Sequence, residues 1–360
     1  MKTYRVGIIG LGRMGSTIDD ENHAIRPYSI AGCCAEMGRL ELVAGSDLEA
    51  DKRTAFSERW GIEAVYENYL EMVEKEHLDL VAVCTTASGL FKPANKAPDA
   101  DFRGDSHADL TVSLSNAGVP MLYVEKAIAS SMVRADEILE TVKANSTVFN
   151  SGVLRRFNEH YQAVKAAIDG GAIGEPKTVT HYAASSLMHG HIHSIDTVSY
   201  LVGDPKIRSI RGELRPRDTV IEGEQIPYDP QATYQLEFEN GIYAASIPSG
   251  QWEFEVVGTE GSIRSLNNGH AIQLRKPGGM LGKRAAWEDA PIEEVNARSH
   301  VVTCLEDIID AHEEGRPTIG HIDVTHHITE ACIAVAESHR AGGTWIDLPL
   351  SNRDLYIFHI

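Results

Sequence analysis

Three glycines near the start of the chain are spaced to hold a phosphate. Gly10-Leu11-Gly12-Arg13-Met14-Gly15 has the form G-x-G-x-x-G and follows Tyr4-Arg5-Val6-Gly7-Ile8-Ile9, an apolar run that reads as a short strand. Gly10 permits the tight turn out of the strand, and Gly12 carries no side chain to block a pyrophosphate. Gly15 lets the following helix pack on the sheet with its positive N-terminus toward the phosphates. The turn therefore predicts a dinucleotide site, with Arg13 and Met14 among its residues. Asp47 belongs to the same chemistry, since it closes a second strand, Leu40-Glu41-Leu42-Val43-Ala44-Gly45-Ser46. A strand-end carboxylate accepts hydrogen bonds from both ribose hydroxyls and repels a 2′-phosphate, so the expected cofactor is NAD rather than NADP. Asp47 lies further from the glycines than the usual spacing of about twenty residues, so the first crossover must be enlarged. The surplus, residues 19–31 with His23, Pro27 and Tyr28, reads as a loop at the carboxyl edge of the sheet, and Tyr28 is placed among the substrate-binding residues.

The elements that must position these groups alternate as strand and helix up to about Gly152, the pattern of a doubly wound parallel sheet. The run Leu78-Asp79-Leu80-Val81-Ala82-Val83-Cys84 ends at Thr85-Thr86, and Pro120-Met121-Leu122-Tyr123-Val124 ends at Glu125-Lys126. Residues 87–107 form a polar, irregular insertion that reads as a surface flap. Beyond Gly152 the pattern changes to a helix over 159–168, a Gly170-Gly171 turn, and β-rich runs over 233–238, 243–248 and 252–257. Helices over 301–314 and 326–341 close the chain. The expected fold is thus an α/β Rossmann domain over 1–152, followed by an α+β domain over 153–360 built on a large, mainly antiparallel open sheet.

A chain of 360 residues is long enough for two domains with substantial cores. Fifty-two acidic residues against 33 basic ones leave a formal charge of -19, with no basic run, which argues against nucleic acid or an anionic membrane as a partner. Cys33, Cys34, Cys84, Cys304 and Cys332 form no C-x-x-C pair and read as reduced thiols of a cytoplasmic protein. The apolar start is broken by glycines and leads into folded structure, not into a secretory leader. No apolar run approaches the roughly twenty residues of a membrane span.

Taken in order, the glycine turn, Asp47, Thr85-Thr86, His107, Glu125-Lys126, Arg155-Arg156-Phe157, Gly174, His193-Ser194-Ile195-Asp196, Glu255-Val256-Val257-Gly258-Thr259-Glu260-Gly261 and Leu348-Pro349-Leu350 run through nearly the whole chain. This series resembles the Gfo/Idh/MocA family, named for glucose-fructose oxidoreductase and inositol 2-dehydrogenase. The resemblance implies a bound nicotinamide cofactor with Thr85, Thr86 and Glu125 near it. It also implies oxidation of a secondary hydroxyl on a sugar, polyol or sugar derivative, and a homo-oligomer, dimer or tetramer, formed through the open sheet.

Such a reaction needs a hydride acceptor beside the carbinol carbon and a base for the hydroxyl proton. Lys126 and His193 are the candidates. Lys126 stands at the carboxyl end of a strand, where partial burial would favour proton transfer or a hold on the hydroxyl. The family pattern there is E-K-P; this chain has Ala127 in place of the proline, and a cis bond before Ala would cost about 3 kcal/mol. In the family the substrate motif resembles D-x-G-x-H-x-x-D, with the first Asp and the His sharing acid/base work. Alignment on His193 and Asp196 puts His189 at the Asp position and His191 at the Gly position, so the carboxylate partner is replaced by an imidazole. Asp196 follows His193 by three residues, on one face of a helix, where it can orient the ring. The alternating His189, His191 and His193 admit a metal reading, but a polar substrate pocket lined by His189 and His191 is favoured and no metal is expected. Arg155 and Arg156 offer one guanidinium to clamp an anionic group on the substrate, the other being structural. His107 is placed with the substrate-binding residues.

The leading reading is an NAD-dependent dehydrogenase acting on a sugar, sugar acid or cyclitol. The alternative is a redox-neutral glycosidase, lyase or epimerase that uses transient oxidation. A non-catalytic nicotinamide-binding regulator is disfavoured by the intact Glu125-Lys126 and His193.

Overall fold

Short apolar runs alternating with helices build one parallel sheet from the N-terminal part of the chain. The computed structural model describes residues 2–21, 25–89, 96–99, 101–293 and 295–360. Six strands, β1 (Tyr4–Ile9), β2 (Leu40–Ser46), β3 (Val65–Tyr66), β4 (Leu80–Val83), β5 (Met121–Val124) and β6 (Val148–Ser151), lie in the order β3-β2-β1-β4-β5-β6. All are parallel, with Val6 facing Leu42 on one side and Leu80 on the other. Every residue of β4 and β5 is fully buried, as the unbroken apolar composition of a two-side-covered parallel strand requires. Five helices accompany them: α1 (Ile30–Glu36), α2 (Ala50–Trp60), α3 (Tyr69–Glu76), α4 (Ser106–Asn116) and α5 (Met132–Ala144). Side-chain oxygens of Ser29, Asn68 and Asp105 cap the starts of α1, α3 and α4. All five cysteines are free and buried.

The second architecture starts with α6 (Glu159–Asp169), β7 (Pro176–Tyr182), β8 (Ser185–Ser186) and α7 (Ile192–Leu201). It continues with β9 (Ile207–Arg215), β10 (Gln225–Ile226), β11 (Gln231–Phe238), β12 (Tyr243–Ile247), β13 (Glu253–Gly258), β14 (Gly261–Leu266), β15 (Ala271–Leu281) and β16 (Arg284–Ala290). The chain closes with α8 (His300–Glu314), α9 (Ile322–Arg340), β17 (Ile346–Asp347) and β18 (Tyr356–Ile357). Ten of these strands form a mixed sheet in the order β16-β15-β14-β13-β7-β12-β11-β9-β17, with β8 on β11; only β12 and β7 pair in parallel. In β11 the alternation is strict: Ala232, Tyr234, Leu236 and Phe238 are buried while the residues between them are not. The sheet thus has an apolar face, on which α6 and α7 pack, and a polar one.

The chain divides into a unit of Met1–Leu154, Arg298–His326 and Phe358–Ile360, and a unit of Arg155–Ala297 and His327–Ile357. Against the division expected at 152/153, the boundary falls after Leu154 and two C-terminal segments, Arg298–His326 and Phe358–Ile360, return to the first unit. The cause is α8, whose buried Val301, Leu305, Ile308 and Ile309 cover β5 and β6.

In the second unit, an ion network fixes the short helical turn Leu154–Phe157 to α7. The Arg156 side chain is completely buried; its Nε donates to Asp196 Oδ1 at 2.7 Å, and its two Nη atoms each donate to Asp204 at 2.8 Å. The ring of Tyr200 lies 5.2 Å from the guanidinium. Burial pushes the Asp196 carboxyl up to about 6, against the opposing pull of Arg156. This corrects two expectations: Arg156 and Asp196 are occupied with each other inside the unit, Arg156 as the structural member of the arginine pair and Asp196 as its counter-ion. Removing one member of a buried ion pair strands the others. Arg156→Met should therefore lower stability by about 3–5 kcal/mol in urea unfolding; a loss under about 1 kcal/mol together with weakened substrate binding would return Arg156 to the substrate.

Candidate active site

At the glycine turn each glycine has its own steric cause. Gly10 sits at φ +91°, and a Cβ there would come within 2.7 Å of the Cys84 carbonyl and the Thr85 nitrogen at the end of β4. A Cβ on Gly15 would strike the Gly10 carbonyl oxygen. Gly12 is different, because a Cβ there would meet nothing within 4 Å. The absence of a side chain at Gly12 therefore serves something other than the protein's own packing, and the space above it suits a pyrophosphate. β1 and β4 are adjacent although they are not consecutive in the chain, so this turn lies at the point where the winding of the sheet reverses.

The long helix expected after Gly15 is not there. Arg13–Thr17 make a single π-helical turn and Ile18–Asp20 a 3-10 turn, and α1 begins only at Ile30. The surplus residues explain it: Asp19 accepts from the Tyr28 and Ser29 nitrogens at 2.6 and 2.9 Å, closing the loop, and Ser29 then caps α1. One turn aligns too few peptides for a full helix-terminus field. Arg13 pairs with Glu21, its Nη2 at 2.7 Å from Oε2, and Tyr28 sets its ring edge-on to His300, 4.8 Å away. His23 and residues 90–95 and 100 of the expected flap lie outside the described residues.

Asp47 is buried and already engaged. Its Oδ2 accepts from the Leu11 nitrogen and its Oδ1 from the Glu49 nitrogen, both at 2.9 Å. A carboxylate offers about four acceptor positions, so a pair of ribose hydroxyls can still be served. The same side chain thereby braces the glycine turn.

On the other side of the turn, the ends of β4 and β5 carry Thr85-Thr86 and Glu125-Lys126. Thr85 Oγ1 and Ser106 Oγ are 3.0 Å apart, and Thr86 is exposed with its hydroxyl on the Gly89 carbonyl. Glu125 is buried, accepting from the Tyr123 hydroxyl at 2.6 Å. Lys126 is half-buried, and the Lys126–Ala127 peptide is cis although Ala127 is not proline. His107 differs from its expected place with the substrate. It is buried in the first turn of α4 with Nδ1 2.7 Å from the Ala127 oxygen and Nε2 2.9 Å from the Thr85 oxygen, so both ring nitrogens are held by main chain.

In the second unit, the histidine run enters α7 through a π-helical turn, Leu187–His191. Asp229, which the sequence reading missed because nothing in its neighbourhood marks it, accepts from the Met188 and His189 nitrogens at 2.8 Å and holds that turn. His189 is exposed and His193, in the first turn of α7, is half-buried. His191 is not a pocket residue: it is fully buried, with Nε2 2.8 Å from the Ala232 carbonyl and Nδ1 2.9 Å from Ser194 Oγ. Burial brings its pKa down to about 4, so the ring is neutral. With both nitrogens engaged it cannot join His189 and His193 around a metal ion. Among the described residues, no group of three or more His, Cys, Asp or Glu is disposed to hold one. Arg155 is half-buried, donating to Asn268 Oδ1 at 2.7 Å and resting 4.7 Å from the Trp252 ring. Of the two arginines it is the accessible one.

Comparison with known proteins agrees with this layout. A family model described as oxidoreductase family, NAD-binding Rossmann fold, matches residues 4–153, and its C-terminal alpha/beta counterpart matches residues 181–348. The chain is similar to scyllo-inositol 2-dehydrogenase (NAD(+)) of Bacillus subtilis, 25% identical over 363 residues that span 94% of each protein. It is also similar to myo-inositol 2-dehydrogenase of Thermotoga maritima, 24% identical over 214 residues, 56% of this chain and 55% of that one. Among solved structures, aldose-aldose oxidoreductase from Caulobacter crescentus in complex with glycerol shares the fold with a TM-score of 0.73 at 19% identity, covering 96% of this chain and 100% of that one. Levoglucosan dehydrogenase in complex with NADH and levoglucosan does so with a TM-score of 0.70 at 17% identity, covering 97% and 100%. With both domain models matched over most of its length, the chain belongs to the Gfo/Idh/MocA family of NAD-binding oxidoreductases.

Proposed function

We propose that this protein is an NAD-dependent dehydrogenase that oxidises a secondary hydroxyl of a sugar, sugar acid or cyclitol, with Lys126 and His193 in proton transfer. The observation that carries the reading is the placement of Lys126 just beyond β5, on the same carboxyl edge of the parallel sheet as the open Gly12. Full-length similarity to an inositol 2-dehydrogenase supports the substrate class. Bound nicotinamide would supply the hydride acceptor. The chain's own residues would do the rest: Lys126 holds the reacting hydroxyl, His193 takes its proton, and His189, Arg155 and Tyr28 contribute to substrate binding. A cytoplasmic homo-oligomer belongs to the same reading.

Substrate is to be sought by assaying sugars, sugar acids and cyclitols for NADH formation. With a substrate in hand, His193→Ala should lower turnover roughly 10²- to 10⁴-fold while NAD affinity stays nearly constant. Near-normal turnover would leave Lys126 as the sole proton-transfer group. Gly12→Val should abolish NAD binding in calorimetry without unfolding the chain, because a Cβ at this position meets no protein atom within 4 Å and the added side chain occupies pyrophosphate space. NAD binding retained by that variant would place the dinucleotide elsewhere. Asp47→Ala should weaken NAD more than NADP and narrow the gap between them; equal affinities in the unmodified protein would remove Asp47 as the discriminator.

A further inference from the structure

The first turn of α4 is built around two buried ionisable side chains that the proposed reaction does not use. His107 directs both ring nitrogens at main-chain carbonyl oxygens, Nδ1 at Ala127 and Nε2 at Thr85, at 2.7 and 2.9 Å. A carbonyl oxygen only accepts, so a ring nitrogen that carries a proton donates to main chain at either contact. A second buried ionisable group stands two residues earlier. Asp105, also buried, accepts from the Ser130 nitrogen at 2.7 Å and caps α4 through the Ala108 nitrogen at 3.4 Å. Burial lifts its carboxyl to about 6, while the Ser130 N–H and then His107 pull in the opposite direction. His107 is itself fixed by Thr111, whose hydroxyl donates to the His107 carbonyl at 2.6 Å. One helical turn therefore grips the segment after β5 at two points, Ala127 and Ser130, and the segment after β4 at Thr85. Lys126 is the residue immediately before the first grip.

We propose that His107 is a positioning residue for Lys126: through its contacts with the Ala127 and Thr85 carbonyls it ties the Lys126 segment to the end of β4 and so holds the lysine amine where the reacting hydroxyl must sit. The proposal rests on the reading of Lys126 as a proton-transfer group. It assigns His107 no contact with substrate, in contrast to the role expected from its residue type.

Two amide variants separate the grips, since an asparagine amide reaches the Nδ1 position and a glutamine amide the Nε2 position. His107→Asn keeps a donor for Ala127 and should retain most of kcat. His107→Gln keeps only the donor for Thr85 and should lose about 10²-fold in kcat, the cost of a displacement near 1 Å at a reacting group, with the NAD dissociation constant unchanged in both. The reverse ranking, or equal losses in kcat and NAD affinity, would overturn the proposal. Nitrogen-15 NMR of the unmodified, histidine-labelled protein needs no variant to fold: a ring proton of His107 should be hydrogen-bonded and slow to exchange, and a His107 ring proton in fast exchange with solvent would overturn the proposal outright. Lys126→Ala distinguishes the two levels of inference. Undiminished turnover in that variant would remove the role of Lys126, whereas its inactivity alongside fully active His107→Asn and His107→Gln would remove only the positioning role.

Discussion

The first unit depends on a backbone contact that leaves no room for a side chain. Where β1 ends, Gly10 is pressed against the Cys84 carbonyl at the end of β4, and Gly15 is pressed against Gly10 in turn. Asp47, from the end of β2, ties down the Leu11 nitrogen between them. Three neighbouring strands are thereby joined at their carboxyl ends through atoms that leave Gly12 uncovered. The ledge so formed is open above Gly12, which is what the approach of a pyrophosphate requires. The remainder of the unit supports that ledge, with α8 returning from the far end of the sequence to cover β5 and β6, the strands that lead to Lys126 and to the domain boundary.

Several residues with the appearance of chemistry serve instead to satisfy buried polar groups. Arg156, Asp196 and Asp204 neutralise one another; His191 bridges Ser194 and the Ala232 carbonyl; Asp229 caps the turn that begins the histidine run. Each buries a polar group that would be costly if left unpartnered. This internal bracing leaves His193, His189 and Arg155 as the accessible polar side chains of their segments, and the proposed chemistry uses those three.

The parallel sheet was legible because its strands are buried on both faces and so read as apolar runs, and because G-x-G-x-x-G after such a run has one steric meaning. The alternation in β11, β12 and β13 was legible for the complementary reason, one buried face and one polar face. Residue type alone could not say which way a polar atom faces. Arg156 and Asp204 meet across 48 residues, and His107 turns both nitrogens to main chain; neither follows from spacing along a helix or strand. The short helical turn after the glycines was hidden for another reason: Asp19 closes the enlarged crossover onto Tyr28 and Ser29, a local hydrogen-bond pattern that competes with helix continuation. Asp105 carries a readable signal, an Asp directly before a helix.

In the proposed reaction a hydride moves from a secondary carbinol to NAD. The most direct measurement follows a deuterium placed on the carbinol carbon of an accepted sugar or cyclitol, with NAD supplied in excess and both products read by mass spectrometry. One deuterium is expected in NADH for each ketone formed. Deuterium returned to the carbohydrate without accumulation of labelled NADH would contradict it and establish the redox-neutral chemistry instead.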